Sequence, residues 1–189
     1  MLPAQIFLGV LLGDQQDLAG ARNHFEHALR IDPKNPEVHN DLGIIFDEQG
    51  DLASAKRHLE LAVRIQPQYA LAQNNLGIVL AKFGNPAEAK LHHELAITND
   101  PGFADAHYQL GVVMAKQGDA AGAIEHFEKA LRIDPDLHLV HNSLGEILLS
   151  QGKWSEAKAH FDQALRIRPR DPSVRKNLEA AEAALRERK

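Results

Sequence analysis

Hydrophobic and polar positions alternate along this chain with the spacing of amphipathic helices. After Pro36, for example, apolar residues recur three or four positions apart at Val38, Leu42 and Ile45. That spacing places them on one face of a helix, because a helix turns once every ~3.6 residues. Glycine or proline interrupts each such pattern before it grows long. The chain is therefore predicted to be a series of short helices, each with one buried face.

The interruptions recur at one fixed interval. A Leu-Gly pair, two alanines and a proline each reappear every 34 residues, and nothing is inserted or deleted across five periods. A fixed period of this length indicates an array of stacked supersecondary units. The glycine column is Gly9, Gly43, Gly77, Gly111 and Gly145, and the proline column is Pro33, Pro67, Pro101, Pro135 and Pro169.

Each period contains Leu-Gly, a later Ala-x-x-x-aromatic segment, a second alanine and a closing proline, as in LGVVMAKQG…AIEHFEKALRIDP. This pattern resembles the tetratricopeptide repeat family over residues 2–171. Two aromatic positions depart from it, because Leu59 and His93 stand where other periods have phenylalanine. The large aromatic expected early in each first helix is replaced by Gln5, His39, Gln73, His107 and His141.

The resemblance implies an all-α fold, an α-solenoid in which five helix-turn-helix repeats form a right-handed superhelix and a single domain, 1–189. Residues 172–189 are predicted to form a terminal solvating helix that Asp171 caps and Pro172 opens. The repeats are expected at about 2–35, 36–69, 70–103, 104–137 and 138–171. Residues that can cap the second helices are Asp17, Asp51, Asn85 and Asp119.

Charge and composition narrow the range of possible functions. The net charge is −5, with an acidic body and a basic, mixed C-terminal end. An acidic body does not attract nucleic acid or an anionic membrane. The absence of cysteine excludes disulfides and thiolate nucleophiles, and no apolar run reaches the ~20 residues of a membrane span. We expect a soluble protein without direct membrane insertion, and we favour the cytoplasm, although the sequence does not choose a compartment.

The resemblance implies that the first helix of each repeat lines a concave groove that binds a peptide or helix of a partner protein. One column on this face is mostly asparagine, whose amide can pair with a peptide backbone without reading its sequence. Solvated polar residues on a groove wall are the alternative reading. The predicted partner-binding residues are Glu37, Asn40, Ile44, Asp47, Glu48, Leu71, Asn74, Asn75, Ile78, Lys82, Asp105, Tyr108, Val112, Lys116, Asn142 and Glu146.

The first repeat suggests a second function. Ile6, Phe7 and Val10 lie where later repeats carry mostly polar residues, and no earlier repeat covers them. A truncated fragment or a modest exposed patch would explain them, and so would self-association of a structural protein through this edge.

Eleven histidines raise a third function, metal binding. Five share one column, but equivalent positions in adjacent repeats are too far apart to bind one ion, so we interpret them as polar surface residues. No catalytic motif is present, and we expect neither an enzyme nor a cofactor. The column is His24, His58, His92, His126 and His160.

Overall fold

The computed structural model of the chain describes residues 2–187, and in that range it contains eleven helices and no strand. Successive helices pair as helix-turn-helix repeats, which confirms the predicted all-α fold. The helices are α1 Leu2–Asp14, α2 Leu18–Ile31, α3 Pro36–Glu48, α4 Leu52–Ile65, α5 Ala70–Lys82, α6 Pro86–Asn99, α7 Ala104–Lys116, α8 Ala120–Ile133, α9 His138–Ser150, α10 Trp154–Ile167 and α11 Pro172–Glu187.

Turn and cap residues set where the helices begin. Gly50 adopts a positive φ of 79° in the turn between α3 and α4, a conformation that costs glycine little. Asp51 then accepts a hydrogen bond from the backbone N–H of Ser54, and Asp17 and Asp119 make the equivalent bond in their repeats. Asn85 makes no side-chain cap bond, so the prediction of a cap is wrong at that position.

Small residues let the two helices of a repeat pack closely. A Cβ atom on Gly9 would lie 2.6 Å from Cε1 of Phe25, so a side chain at residue 9 would displace that ring. Ala21 and Ala28, on either side of Phe25 on α2, are completely buried. The same arrangement recurs around Phe127 and Phe161, where the alanines are also completely buried. The repeated columns therefore build the core of each repeat.

The helices group into two compact units, of which the first ends at Pro101 and the second begins at Gly102. The first unit contains α1–α6, and the second contains α7–α11. In the second unit α11 buries Val174 and Ala181 against the core of the last repeat, while Asp171 accepts from the backbone N–H of Val174. None of the described helices is both long enough and apolar enough to span a bilayer.

Candidate partner-binding face

Three hollows open on the surface formed by the first helices of neighbouring repeats, and they occupy equivalent positions in the repeat. Each has an apolar floor, contributed by two first helices and by residue 25, 59 or 127 of a second helix. The first hollow, of about 340 Å³, is lined by Gly9, Val10, Gly13, Asp14, Gln16, Phe25, Asp41, Ile44, Ile45 and Glu48.

The residues that line the second and third hollows follow the equivalent residues of the first by 34 and 102 positions in the sequence. The second, of about 160 Å³, is lined by Gly43, Ile44, Asp47, Glu48, Leu59, Asn75, Ile78 and Val79. The third, of about 280 Å³, is lined by Val112, Ala115, Lys116, Phe127, Ser143, Glu146, Ile147 and Ser150. The first two belong to the first compact unit and the third to the second unit.

These hollows bring together many of the predicted residues. Ile44 and Glu48 line both hollows of the first unit, and Lys116 and Glu146 line the third. Lys82 lies beside the second hollow, where its Nζ donates to Asp47 at 2.6 and 2.7 Å. Predicted residues that line no hollow but are exposed at the beginnings of first helices are Glu37, Leu71 and Asp105.

The asparagine column is not available as predicted. Asn40 is 0% and Asn74 2% exposed, so neither amide is free to pair with a peptide backbone. Asn40 Oδ1 accepts from Asn75 Nδ2 at 2.9 Å, and Asn74 Oδ1 lies 2.8 Å from Nδ1 of His93. A buried amide needs such partners because leaving it unpaired costs free energy. The expectation that these two side chains contact a partner is therefore corrected.

The later members of that column are only half-buried. Tyr108 packs its ring against Phe127, with ring centroids 5.9 Å apart. Asn142 donates to Glu146 at 2.9 Å, and its Oδ1 accepts from Asn177 at 3.0 Å. The pairs Asn75–Asn40 and Asn177–Asn142 are both 35 residues apart, so each donor bonds the repeat that precedes its own. Asn40 and Asn142 therefore hold their helices to α5 and α11, whereas Asn74 and Tyr108 contact the second helix of their own repeat.

The lining residues of the first hollow that were not predicted from the sequence include two carboxylates, Asp14 and Asp41. Asp41 is half-buried, and this burial raises the pKa of its carboxyl to about 6, with a further rise from Glu37 and an opposing hydrogen bond from Asn40. The sequence does contain a signal for Asp14, because this residue occupies the same position in its repeat as the predicted residues Glu48, Lys82 and Lys116.

The histidine column is not a set of surface residues, contrary to our interpretation. Each member is half-buried and its Nδ1 bonds the residue nineteen positions earlier, on the first helix of its own repeat. The five distances are 2.7 Å for His24–Gln5, 3.1 Å for His58–His39, 2.6 Å for His92–Gln73, 3.0 Å for His126–His107 and 3.1 Å for His160–His141.

The geometry assigns the protons in these pairs. His39 Nε2 lies 3.1 Å from the carbonyl oxygen of Pro33, so it must donate, and Nδ1 of a neutral His39 must accept from His58. Gln73 fills the same roles, since its Nε2 donates to Pro67 and its Oε1 accepts from His92. The missing early aromatic is thus replaced by a hydrogen-bonding pair. Within residues 2–187 no group of three ligating side chains could hold a metal ion.

Comparison with known proteins agrees with this architecture. A tetratricopeptide repeat model matches residues 14–77 and 114–182, and a second tetratricopeptide repeat model matches residues 74–138. The chain therefore belongs to the tetratricopeptide repeat family, as the sequence predicted. A comparison with curated protein sequences finds no match.

Solved structures share the fold. MamA, whose crystal structure matches with a TM-score of 0.72, is 28% identical to this chain in sequence. The match covers 86% of this chain and 95% of MamA. TTC0263, a thermophilic TPR protein of Thermus thermophilus, is 25% identical with a TM-score of 0.79, covering 97% and 100% of the two chains. YrrB, described as a TPR protein with an unusual peptide-binding site, is 22% identical with a TM-score of 0.67, covering 90% and 88%.

Proposed function

We propose that this chain is a protein–protein interaction scaffold that binds a peptide or helical segment of a partner through the hollows of its first helices. The observation that carries the proposal is that one kind of hollow recurs at the same repeat positions in both compact units. An open depression with an apolar floor and a polar rim suits an inserted side chain better than it suits catalysis, which needs an enclosed site. A cytoplasmic location stays a prediction.

The surface of the first helices can still bind a partner segment although Asn40 and Asn74 are buried. Side chains of a bound segment would contact Ile44, Ile78 and Val112, which are partly exposed, while the buried amides fix the spacing of the helices beneath them. Lys82, Lys116 and Glu146 would contribute charge at the rims. YrrB offers a parallel only at the level of the fold, because its identity to this chain is low.

The test is capture of a partner from the native host by wild-type protein and by two charged variants. Ile44→Arg places a cation between the first and second hollows, and Leu91→Arg places the same residue on α6, where Leu91 is 52% exposed. We expect Ile44→Arg to lose the partner and Leu91→Arg to retain it, provided that both variants keep the helicity and melting temperature of wild type. Equal capture by both variants would contradict a site on the first helices.

Self-association is a second candidate function, and α1 is the observation that favours it. Phe7 is 67% and Val10 46% exposed, Ile6 is half-buried, and α1 carries no charged residue before Asp14. Such a patch is typical of an interface. Sedimentation of wild type should then show dimers that Phe7→Asp abolishes and Leu91→Asp retains. Monomers throughout at high concentration would exclude this candidate.

A further inference from the structure

The three hollows share their shape but differ in charge. A step of 34 residues from Asp14, Asp41 and Glu48 of the first hollow leads to Glu48 and Asn75, which line the second hollow, and to Lys82 beside it. The third has one cation and two hydroxyl groups at these positions, contributed by Lys116, Ser143 and Ser150. The first hollow is thus the one of the three in which all three positions hold carboxyl groups.

A lysine compensates a carboxylate in the second hollow, and two neutral amides bond the carboxylate of the third, whereas in the first hollow, among the described residues, Asp41 accepts only from Asn40, at 3.3 Å. Asp47 is bonded to Lys82 at 2.6 Å across the second hollow. In the third, Glu146 accepts hydrogen bonds from Asn142 at 2.9 Å and Asn177 at 2.8 Å. Within residues 2–187 the structure shows no ion pair to Asp14, Asp41 or Glu48, and no lysine, arginine or histidine lines the first hollow.

The first hollow also has more room. Gly13 stands where the second hollow has Asp47 and the third has Ala115. A Cβ atom on Gly13 would meet Cδ1 of Ile45 at 3.7 Å, an ordinary contact, so the glycine leaves space that a side chain could fill. Val10, Ile44 and Ile45 form the apolar wall beside that space.

We propose that the first hollow is a subsite for a lysine or arginine side chain of the partner segment. The methylene groups of the cation lie against Val10 and Ile44, and its charged end lies among Asp14, Asp41 and Glu48. Lysine and arginine suit such a site because their stems are apolar and their ends are cationic. Complementary charge of this kind selects a partner and fixes its register. This inference rests on the proposed function, because it assumes that a partner segment lies on the first helices.

The experiment uses three peptides that differ at one residue, acetyl-Ala-Leu-Lys-Leu-Ala-amide and its norleucine and glutamate analogues. Norleucine keeps the four-carbon stem of lysine without the charge. Binding to the full chain is followed by the backbone amide signals of Val10 and Gly13 in the first hollow and of Ala115 and Ile147 in the third. We expect the lysine peptide to shift the first pair of signals and to bind about tenfold more tightly than the norleucine peptide.

A matched pair of variants separates a subsite from general attraction. Asp14→Asn/Asp41→Asn should remove the tenfold preference for lysine, whereas Glu88→Gln/Glu179→Gln, which removes the same charge from exposed positions on α6 and α11, should leave it intact. An arginine analogue should behave as the lysine peptide does.

Several outcomes would overturn the inference. Equal affinity for the lysine and norleucine peptides would refute a cation subsite while leaving peptide binding on the first helices in place. If both double variants lost the preference for lysine, the preference would come from the net charge of the protein and not from the first hollow. If none of the peptides shifts the amide signals of Val10 or Gly13, the subsite is refuted, whereas the proposed function fails only if Ile44→Arg also retains the captured partner.

Discussion

The first and third hollows are lined by residues at equivalent repeat positions, yet they differ in charge. Their floors are a phenylalanine, Phe25 in one and Phe127 in the other, and their walls are aliphatic. Their rims carry three carboxyl groups in the first hollow and a lysine, a glutamate and two serines in the third. The comparison teaches that the apolar and small columns fix the geometry, whereas positions outside those columns are free to set the charge.

The largest effect tests whether the two floors are equivalent. Phe25→Ala and Phe127→Ala should each lower the free energy of unfolding by about 3–5 kcal/mol, because both rings are almost completely buried against a glycine of the first helix. Urea denaturation measures this, with Phe83→Ala, at a ring that is 44% exposed, as the control of small effect. If Phe25→Ala lowered the free energy of unfolding by no more than Phe83→Ala, Phe25 would not be equivalent to Phe127 as the floor of its hollow.

The next effect concerns the position where the first unit departs from the aromatic floor. His93 is 1% exposed, and burial lowers the pKa of its imidazole to about 4, with a smaller contribution from His92. The unfolded chain takes up this proton near 6.5 and the folded chain only near 4. Stability is therefore full above about pH 6.5 and falls as the pH drops through that window, by at most about 3 kcal/mol for this residue.

The measurement is the free energy of unfolding from about pH 7.5 to about pH 4.5 for wild type and His93→Phe, which restores the residue of the other repeats. The variant should show a shallower decline at acid pH. His27→Phe, at an exposed histidine of α2, serves as the control for the substitution itself. A slope that is the same in His93→Phe and wild type would show that His93 does not contribute to the acid response.

A smaller effect should follow from transferring the charge of the first hollow to the third. Lys116→Asp/Ser143→Asp gives the third hollow two of the three carboxyl groups of the first, and the lysine peptide should then bind there about tenfold more tightly than to the unmodified hollow. The amide of Ala115 reports this binding. If the third hollow of this variant showed no preference for the lysine peptide, charge alone would not be sufficient for lysine binding. The space at Gly13 or the burial of Asp41 would then also be needed.

The smallest effect is expected at the second hollow. Lys82→Met removes the cation that bonds Asp47, and the free energy of unfolding should fall by less than about 1 kcal/mol, because Lys82 is largely solvated. The freed Asp47 should give the lysine peptide a weak affinity for the second hollow, detectable at the amide of Ile78. Lys90→Met, which breaks the exposed pair with Glu94, should not create that affinity.

The sequence predicted the fold well because the fold depends on residues that are copied every 34 positions. The glycine and the two alanines are buried in every repeat, and the leucine is buried in every repeat except the first, where Leu8 is 38% exposed. The prediction of a single domain remains untested, although the helices group into two compact units.

The binding face was harder to predict, because exposure changes between adjacent residues of a helix. Asn40 and Asn74 are polar and lie near the expected face, yet they point inwards, where Asn75 and His93 satisfy them. Periodicity does not reveal such partners, which come from another helix. The histidine column was misread for the same reason. Asp14 was missed because α1 was judged by its apolar residues alone.

The equivalence of His39 and Gln73 has a consequence for how this array can change over generations. Both side chains donate to a proline carbonyl and accept from the histidine nineteen positions later, so their exchange preserves the bonds. Only the imidazole can gain a second proton, and doing so removes the acceptor. Histidine and glutamine codons differ in a single nucleotide. A point mutation at this position can thus change the number of protonatable groups in one repeat while the hydrogen bonds of the pair stay in place.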